Sequence, residues 1–101
     1  MPDIEIGREE AGAKGRYFAR VAGIAGEAEL TFTRRGPNMV SADHTGAPNS
    51  MRGSGAAMAL IERLIADARR ERFKIVPLCP YVRAQYKRHP EWSDVMAEPV
   101  S

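Results

Sequence analysis

The spacing of the hydrophobic residues changes about halfway along the chain, and this change restricts the fold more than any other feature of the sequence. Between residues 3 and 45, apolar and polar residues alternate with the period of two that is typical of half-buried β-strands. Between residues 57 and 68, apolar residues recur instead at every third or fourth position, which predicts an amphipathic helix. The chain is therefore expected to combine a sheet with helices in an α+β fold.

Four strands are predicted in the first half. Turns are indicated at residues 23–26, which begin and end with glycine, and at residues 36–38, which read Gly-Pro-Asn. Because the connections are short, the strands are expected to form an antiparallel meander. The predicted strands span residues 3–6, 15–22, 28–33 and 39–45.

A helix, a strand and a second helix are predicted in the second half. The charged residues of the first helix, including Asp67, are assigned to its solvent side. Pro77 restricts the strand at 73–78 to a sheet edge or a bulge, because proline has no backbone donor. A strand–helix–strand connection favours a parallel pairing of this strand with its neighbour. The buried stripe of the helix comprises Ala57, Leu60, Ile61, Leu64, Ile65 and Ala68.

The second helix has clear signals at both ends. Pro80 suits the first turn of a helix over residues 81–88. His89 precedes a proline, a position that disfavours helical backbone, so the helix is expected to end there. Trp92 is predicted to be anchored in the core and to be followed by loose chain.

Composition excludes several classes of protein. A chain of 101 residues that is 44% hydrophobic and 28% charged is expected to form one folded domain over residues 1–101. The single cysteine excludes an intrachain disulfide, and no metal site is indicated. No apolar stretch approaches the roughly 20 residues of a membrane span, and the first residues do not resemble a signal peptide. A cytoplasmic location without membrane contact is therefore expected.

Basic residues are concentrated in the second half. The formal net charge is only +2, but residues 63–88 contain eight basic and two acidic residues. Such an excess attracts an anionic ligand. A small nucleic-acid-binding domain is one alternative, although the interleaved aromatic residues of a base-stacking platform are absent from this half.

The segment Arg52-Gly53-Ser54-Gly55-Ala56-Ala57 stands directly before the helical stripe. Glycines allow a ligand to approach the backbone closely, and the free N–H groups of a helix start bind anions. Arg52 adds a guanidinium that pairs well with phosphate oxygens. The alternative is an ordinary loop in which Ser54 caps the helix. The dinucleotide fingerprint fails because Met58 occupies the third glycine position, and the Walker pattern fails because no Gly-Lys-Ser/Thr follows.

The glycine segment resembles the pyrophosphate loop of GNAT-type N-acetyltransferases, which bind acetyl-coenzyme A, in its pattern Arg/Gln-x-x-Gly-x-Gly/Ala. His44-Thr45 before the loop, and residues 76–82 (Val-Pro-Leu-Cys-Pro-Tyr-Val) and 88–92 after it, are similar to the short single-domain members of that family. The resemblance covers residues 15–92 and implies the minimal GNAT fold and acetyl transfer to an amine. It also implies that residues 52–57 hold the pyrophosphate and that pantetheine lies between two splayed strands, 39–45 and 73–78.

Three residues are the candidates for chemistry: Cys79, His44 and Tyr81. Cys79 ends the strand that would flank the thioester. Three roles are open for it: an inert buried cysteine, a polar wall or proton donor to the coenzyme A thiolate, or a nucleophile that carries the acetyl group. His44 is a candidate general base, with a structural histidine as the alternative. The resemblance also implies a tyrosine that protonates the thiolate; Tyr81 and Tyr86 are candidates, with packing as the alternative. Direct attack by the amine is the preferred mechanism.

The chain has little room for the two N-terminal helices and the final hairpin that wall the acceptor site in ordinary GNAT domains. The acceptor groove is therefore expected to be open, as for a peptide or protein amine, or to be completed by the second copy of a homodimer. The sequence does not identify the amine. A non-catalytic coenzyme A-binding module is the second alternative.

Overall fold

The computed structural model describes residues 3–98, which form a five-stranded sheet with two α-helices. The strands stand in chain order: β1 (Ile4–Ala11), β2 (Lys14–Val21), β3 (Ala28–Gly36), β4 (Met39–Gly46) and β5 (Lys74–Pro77). The first four pair antiparallel, and β5 pairs parallel with β4 at the end of the strand order. The predicted meander, the parallel fifth strand and the edge position of Pro77 are confirmed.

The strand β1 is twice as long as the predicted strand at residues 3–6, because Gly7 does not end it. Gly7 pairs with Phe18 of β2, and a Cβ added at Gly7 would stand 2.2 Å from the Phe18 ring. The glycine therefore makes room for an aromatic side chain of the neighbouring strand, and the pairing continues beyond it to Ala11 and Lys14.

The helix α1 (Ala56–Glu71) packs its apolar stripe against β2 and β3, and α2 (Pro80–Arg88) contacts β4 and β5. Trp92 is buried in a 3-10 turn (Pro90–Val95) and stacks on His89, with ring centroids 4.5 Å apart. The predicted helix end at His89 and the Trp92 anchor are confirmed. The packed segment reaches further than expected, because Ala97 donates its N–H to the carbonyl of Ile75 in β5. Within residues 3–98, neither helix is long and apolar enough to cross a membrane.

Asp67 is the clearest departure from the predicted helix pattern, because it is completely buried. Its Oδ2 accepts hydrogen bonds from the Tyr17 hydroxyl at 2.7 Å and from Arg8 at 3.1 Å. Its Oδ1 accepts from Arg63 at 3.3 Å and Arg70 at 2.7 Å. Burial and the hydrogen bond to Asp67 raise the pKa of Tyr17, so this hydroxyl stays protonated and donates. The prediction was wrong because the donors under the helix come from β1 and β2, which helical spacing cannot reveal.

The strands β4 and β5 separate after four paired residues. Their ladder ends where Ala42 pairs with Pro77, and the N–H of Cys79 then donates to the carbonyl of Ala42 at 2.8 Å. Because α2 begins at Pro80, the chain leaves the sheet at this point. In the described part of the chain, residues 44–46 of β4 pair with β3, and residues 43–46 have no strand on their other side.

Candidate active site

A cavity of about 490 Å³ opens at the N-terminus of α1. Its size is in the range of small-molecule binding sites. The cavity is lined by Tyr81 and by residues 47–49, 51–53 and 55–58. Five of the six residues of the glycine loop therefore line one cavity. Ser54 is the loop residue that does not line it.

The loop takes its shape from its two glycines. Gly53 and Gly55 have φ angles of 80° and 84°, in the left-handed region that favours glycine. Gly55 is the N-cap residue of α1, which differs from the alternative in which Ser54 caps the helix. The Ser54 hydroxyl instead accepts a hydrogen bond from the Ala56 N–H at 3.2 Å.

Four backbone amides at the cavity are free to bind a ligand. Within residues 3–98, the N–H groups of Gly53, Gly55, Ala57 and Met58 have no hydrogen-bond acceptor. The amides of Arg52 and Ser54 are engaged instead, because they donate to carbonyls of the preceding turn at 3.1 and 3.0 Å. The loop predicted from the sequence ends at Ala57 and so does not include the Met58 amide. The rule that the first turn of a helix leaves its amides unpaired would have identified this amide.

The charge at this cavity is positive. Arg52 is exposed and has no carboxylate within 4.0 Å among the described residues, and the first turn of α1 contains no acidic residue. The helix dipole adds partial positive charge at the same end. Tyr81 contributes an aromatic wall and is 36% exposed. Free amides, a guanidinium and a helix N-terminus together form an anion-binding site.

Cys79 lies where β4 and β5 diverge, and it is 2% exposed. Its thiol donates a hydrogen bond to the Thr45 hydroxyl oxygen at 3.3 Å, which links the start of α2 to the end of β4. Thr45 had no assigned role in the sequence. No group of three or more His, Cys, Asp or Glu residues in the described ranges is arranged to hold a metal ion.

His44 is exposed near the end of β4, where it pairs with Thr31 of β3. Successive side chains of a strand point to opposite faces, so His44 lies on the other side of the sheet from Thr45 and its partner Cys79. Its Nε2 is 3.3 Å from the position of a Cβ added at Gly46, so glycine leaves space for the imidazole. The structure thus brings Cys79 to Thr45 and Tyr81 to the glycine loop, and it leaves His44 on the opposite face.

Tyr86, the other tyrosine considered for proton transfer, is 2% exposed. Its hydroxyl donates to the carbonyl of Glu98 at 3.1 Å, which fastens α2 to the segment beside β5. This arrangement fits the packing alternative for Tyr86.

Comparison with known proteins agrees with the fold. The sequence pattern described as GCN5-related N-acetyl-transferase matches residues 16–95. The chain therefore belongs to this GNAT family, and its meander, helix and parallel fifth strand are consistent with the minimal GNAT fold. None of the curated proteins matches the chain.

Proposed function

We propose that the protein is an acetyl-coenzyme A-dependent N-acetyltransferase that transfers the acetyl group to an amine by direct attack in a ternary complex. The observation that carries this proposal is the set of four free amides beside Arg52 at the start of α1, next to the gap between β4 and β5. The family membership makes coenzyme A the natural anionic ligand for that site.

The pyrophosphate of the coenzyme would be held by the amides of Gly53, Gly55, Ala57 and Met58, with Arg52 neutralising its charge. Two of these four residues are glycines whose added Cβ would meet no atom within 4 Å. The absence of those side chains keeps the space before the amides open to phosphate oxygens.

The pantetheine arm would lie in the gap between the diverging strands. There the unpaired edge of residues 43–46 offers backbone groups to an amide-containing chain, in the manner of an added strand. The gap begins at Cys79, so the thioester would stand at this residue.

Acetyl transfer forms a C–N bond and breaks the C–S bond of the thioester, while the amine loses a proton and the departing thiolate gains one. Cys79 is 2% exposed and its thiol is hydrogen-bonded to the Thr45 hydroxyl, which supports a role as wall or proton donor over that of a nucleophile. Tyr81 is the second candidate for protonating the thiolate, and His44 is the candidate base for the amine.

The proposal is tested by incubating the protein with acetyl-coenzyme A and a panel of primary amines. The expected result is release of free coenzyme A together with an acetylated amine of matching amount, detected by mass spectrometry. Coenzyme A binding without any acetylated product would overturn the proposal and favour a non-catalytic binding module. Salt-sensitive retention on nucleic acid without coenzyme A binding would favour the nucleic-acid alternative.

A further inference from the structure

A second cavity, of about 620 Å³, lies on the face of the sheet opposite α1 and is lined by residues of β1, β2, β3 and β4. Tyr17 is buried on the helix side, so its neighbour Arg16, which lines this cavity, points to the other face. Thr31 and Asp43 complete the lining at the β3–β4 end, beside the cross-strand pair of Thr31 and His44. We call this cavity the open-face groove.

A β-bulge directs Asp43 into the open-face groove. The register shifts between Thr31 and Phe32, which pair with His44 and Ala42, so Asp43 is left as the extra residue of β4. Bulges re-aim side chains and are frequent beside active sites. This bulge leaves Asp43 on the same face of the sheet as the candidate base His44, with Asp43 at one end of the groove.

The Asp43 carboxylate is held in a fixed position by two hydroxyl groups, with the Arg35 guanidinium at 3.9 Å. Its Oδ2 accepts a hydrogen bond from the Thr33 hydroxyl at 2.5 Å, and its Oδ1 accepts one from Ser41 at 2.7 Å. Ser41 is 1% exposed and itself accepts a hydrogen bond from Arg35 at 2.9 Å. Two hydroxyl donors leave free lone pairs on the carboxylate oxygens.

The other carboxylates of the groove are already neutralised. Glu9 and Glu10 each accept a hydrogen bond from an arginine, at 2.9 and 2.7 Å. The guanidinium nearest to Asp43 belongs to Arg35, and it stands 3.9 Å away because Arg35 donates to Ser41 instead. Asp43 is therefore the carboxylate of this groove that is best able to pair with a cation supplied by a ligand.

We propose that the open-face groove binds the amine acceptor and that Asp43 pairs with a second positively charged nitrogen of that acceptor. This inference rests on the proposed acetyl transfer and adds the substrate class, an amine with at least two cationic nitrogens. With one nitrogen held by Asp43, the other would extend past the adjacent His44 to the gap between β4 and β5, which interrupts the sheet and is where the thioester is proposed to lie. Lys14 also lines the groove and opposes a cation, so its charge lowers the affinity.

The test is an NMR titration of the isotope-labelled protein, with and without saturating coenzyme A, with 1,5-diaminopentane and with 1-aminopentane as the matched monoamine. We expect the wild-type protein to bind the diamine about tenfold more tightly than the monoamine, as for one charge-assisted contact. Asp43→Asn, which is nearly isosteric, should abolish this preference. Glu9→Gln removes a carboxylate that is already paired with arginine, so this variant should keep the preference for the diamine. Lys14→Gln removes an opposing cation and should increase that preference.

Equal affinity of the wild-type protein for the two amines would overturn the inference, as would an unchanged preference in Asp43→Asn. If Asp43→Asn does not fold, the salt dependence in the wild-type protein decides: an ion pair weakens as salt rises, and a salt-independent preference overturns the inference. The titration needs no acetyl transfer. Coenzyme A binding with no diamine preference therefore rejects only this inference, whereas failure to bind coenzyme A rejects the proposed function.

Discussion

Replacement of Asp67 by asparagine should destabilise the fold through loss of a buried charge. Removing one partner of a buried ion pair costs about 3–5 kcal/mol in general. The cost is smaller here, because Arg63 and Arg70 are 38% and 65% exposed and regain water when the charge is removed. The amide oxygen of the variant still accepts from the Tyr17 hydroxyl. We therefore expect Asp67→Asn to lower the free energy of unfolding by about 1–3 kcal/mol.

The assay is equilibrium unfolding in urea, analysed by linear extrapolation. Glu62→Gln is the matched control, because Glu62 is exposed on the same helix and has no ion pair among the described residues. The control should stay within about 0.5 kcal/mol of the wild-type protein, as expected for a surface substitution. Equal stability of Asp67→Asn and Glu62→Gln would refute the argument that the Asp67 network fastens α1 to β1 and β2.

Three further predictions concern turnover and pH. Cys79→Ala should lower turnover by about 10–1000-fold without any acetyl adduct on the wild-type protein; an adduct that an amine removes would establish a nucleophile instead. Tyr81→Phe should lower the turnover number more than the affinity for acetyl-coenzyme A, and an unchanged turnover number would exclude proton transfer by this hydroxyl. Hydrogen bonds from arginine hold the pKa of Glu10 and Glu71 below 4.5, so the unfolded chain takes up protons first as the pH falls. The stability that these two carboxylates give is present above about pH 4.5, and it is lost as the pH falls through their lower pKa values in the folded protein. In urea unfolding at a series of pH values, the free energy of unfolding of Glu71→Gln should fall less steeply with acid than that of the wild-type protein. Equal steepness in the two proteins would contradict this.

The order and type of the elements follow from the sequence, because hydrophobic spacing and proline positions act locally. Pro77 and Pro80 fixed the edge strand and the start of α2 without knowledge of the rest of the fold. The errors arose where a residue depends on a distant partner. Gly7 continues β1 because Phe18 covers it, and Asp67 is buried because Arg8 and Tyr17 lie under the helix.

The candidate site was predictable to the same degree. The glycine loop is a local motif, and its cavity is where the helix start requires it. The contact between Cys79 and Thr45 joins residues 34 positions apart, so neither residue alone indicates it. The Asp43 position depends on a bulge, and the regular alternation assumed for residues 39–45 gives no sign of it.

The most direct test of the account is a calorimetric titration of coenzyme A into the wild-type protein, Gly55→Val and Gly23→Val. Gly55 and Gly23 have φ angles of 84° and 82°, and an added Cβ meets no atom within 4 Å at either position, so both variants carry similar backbone strain. Only Gly55 lines the cavity at α1. The account predicts wild-type affinity for Gly23→Val and at least a tenfold loss, about 1.4 kcal/mol, for Gly55→Val. Equal affinities of Gly55→Val and Gly23→Val, or no binding by the wild-type protein, would contradict it.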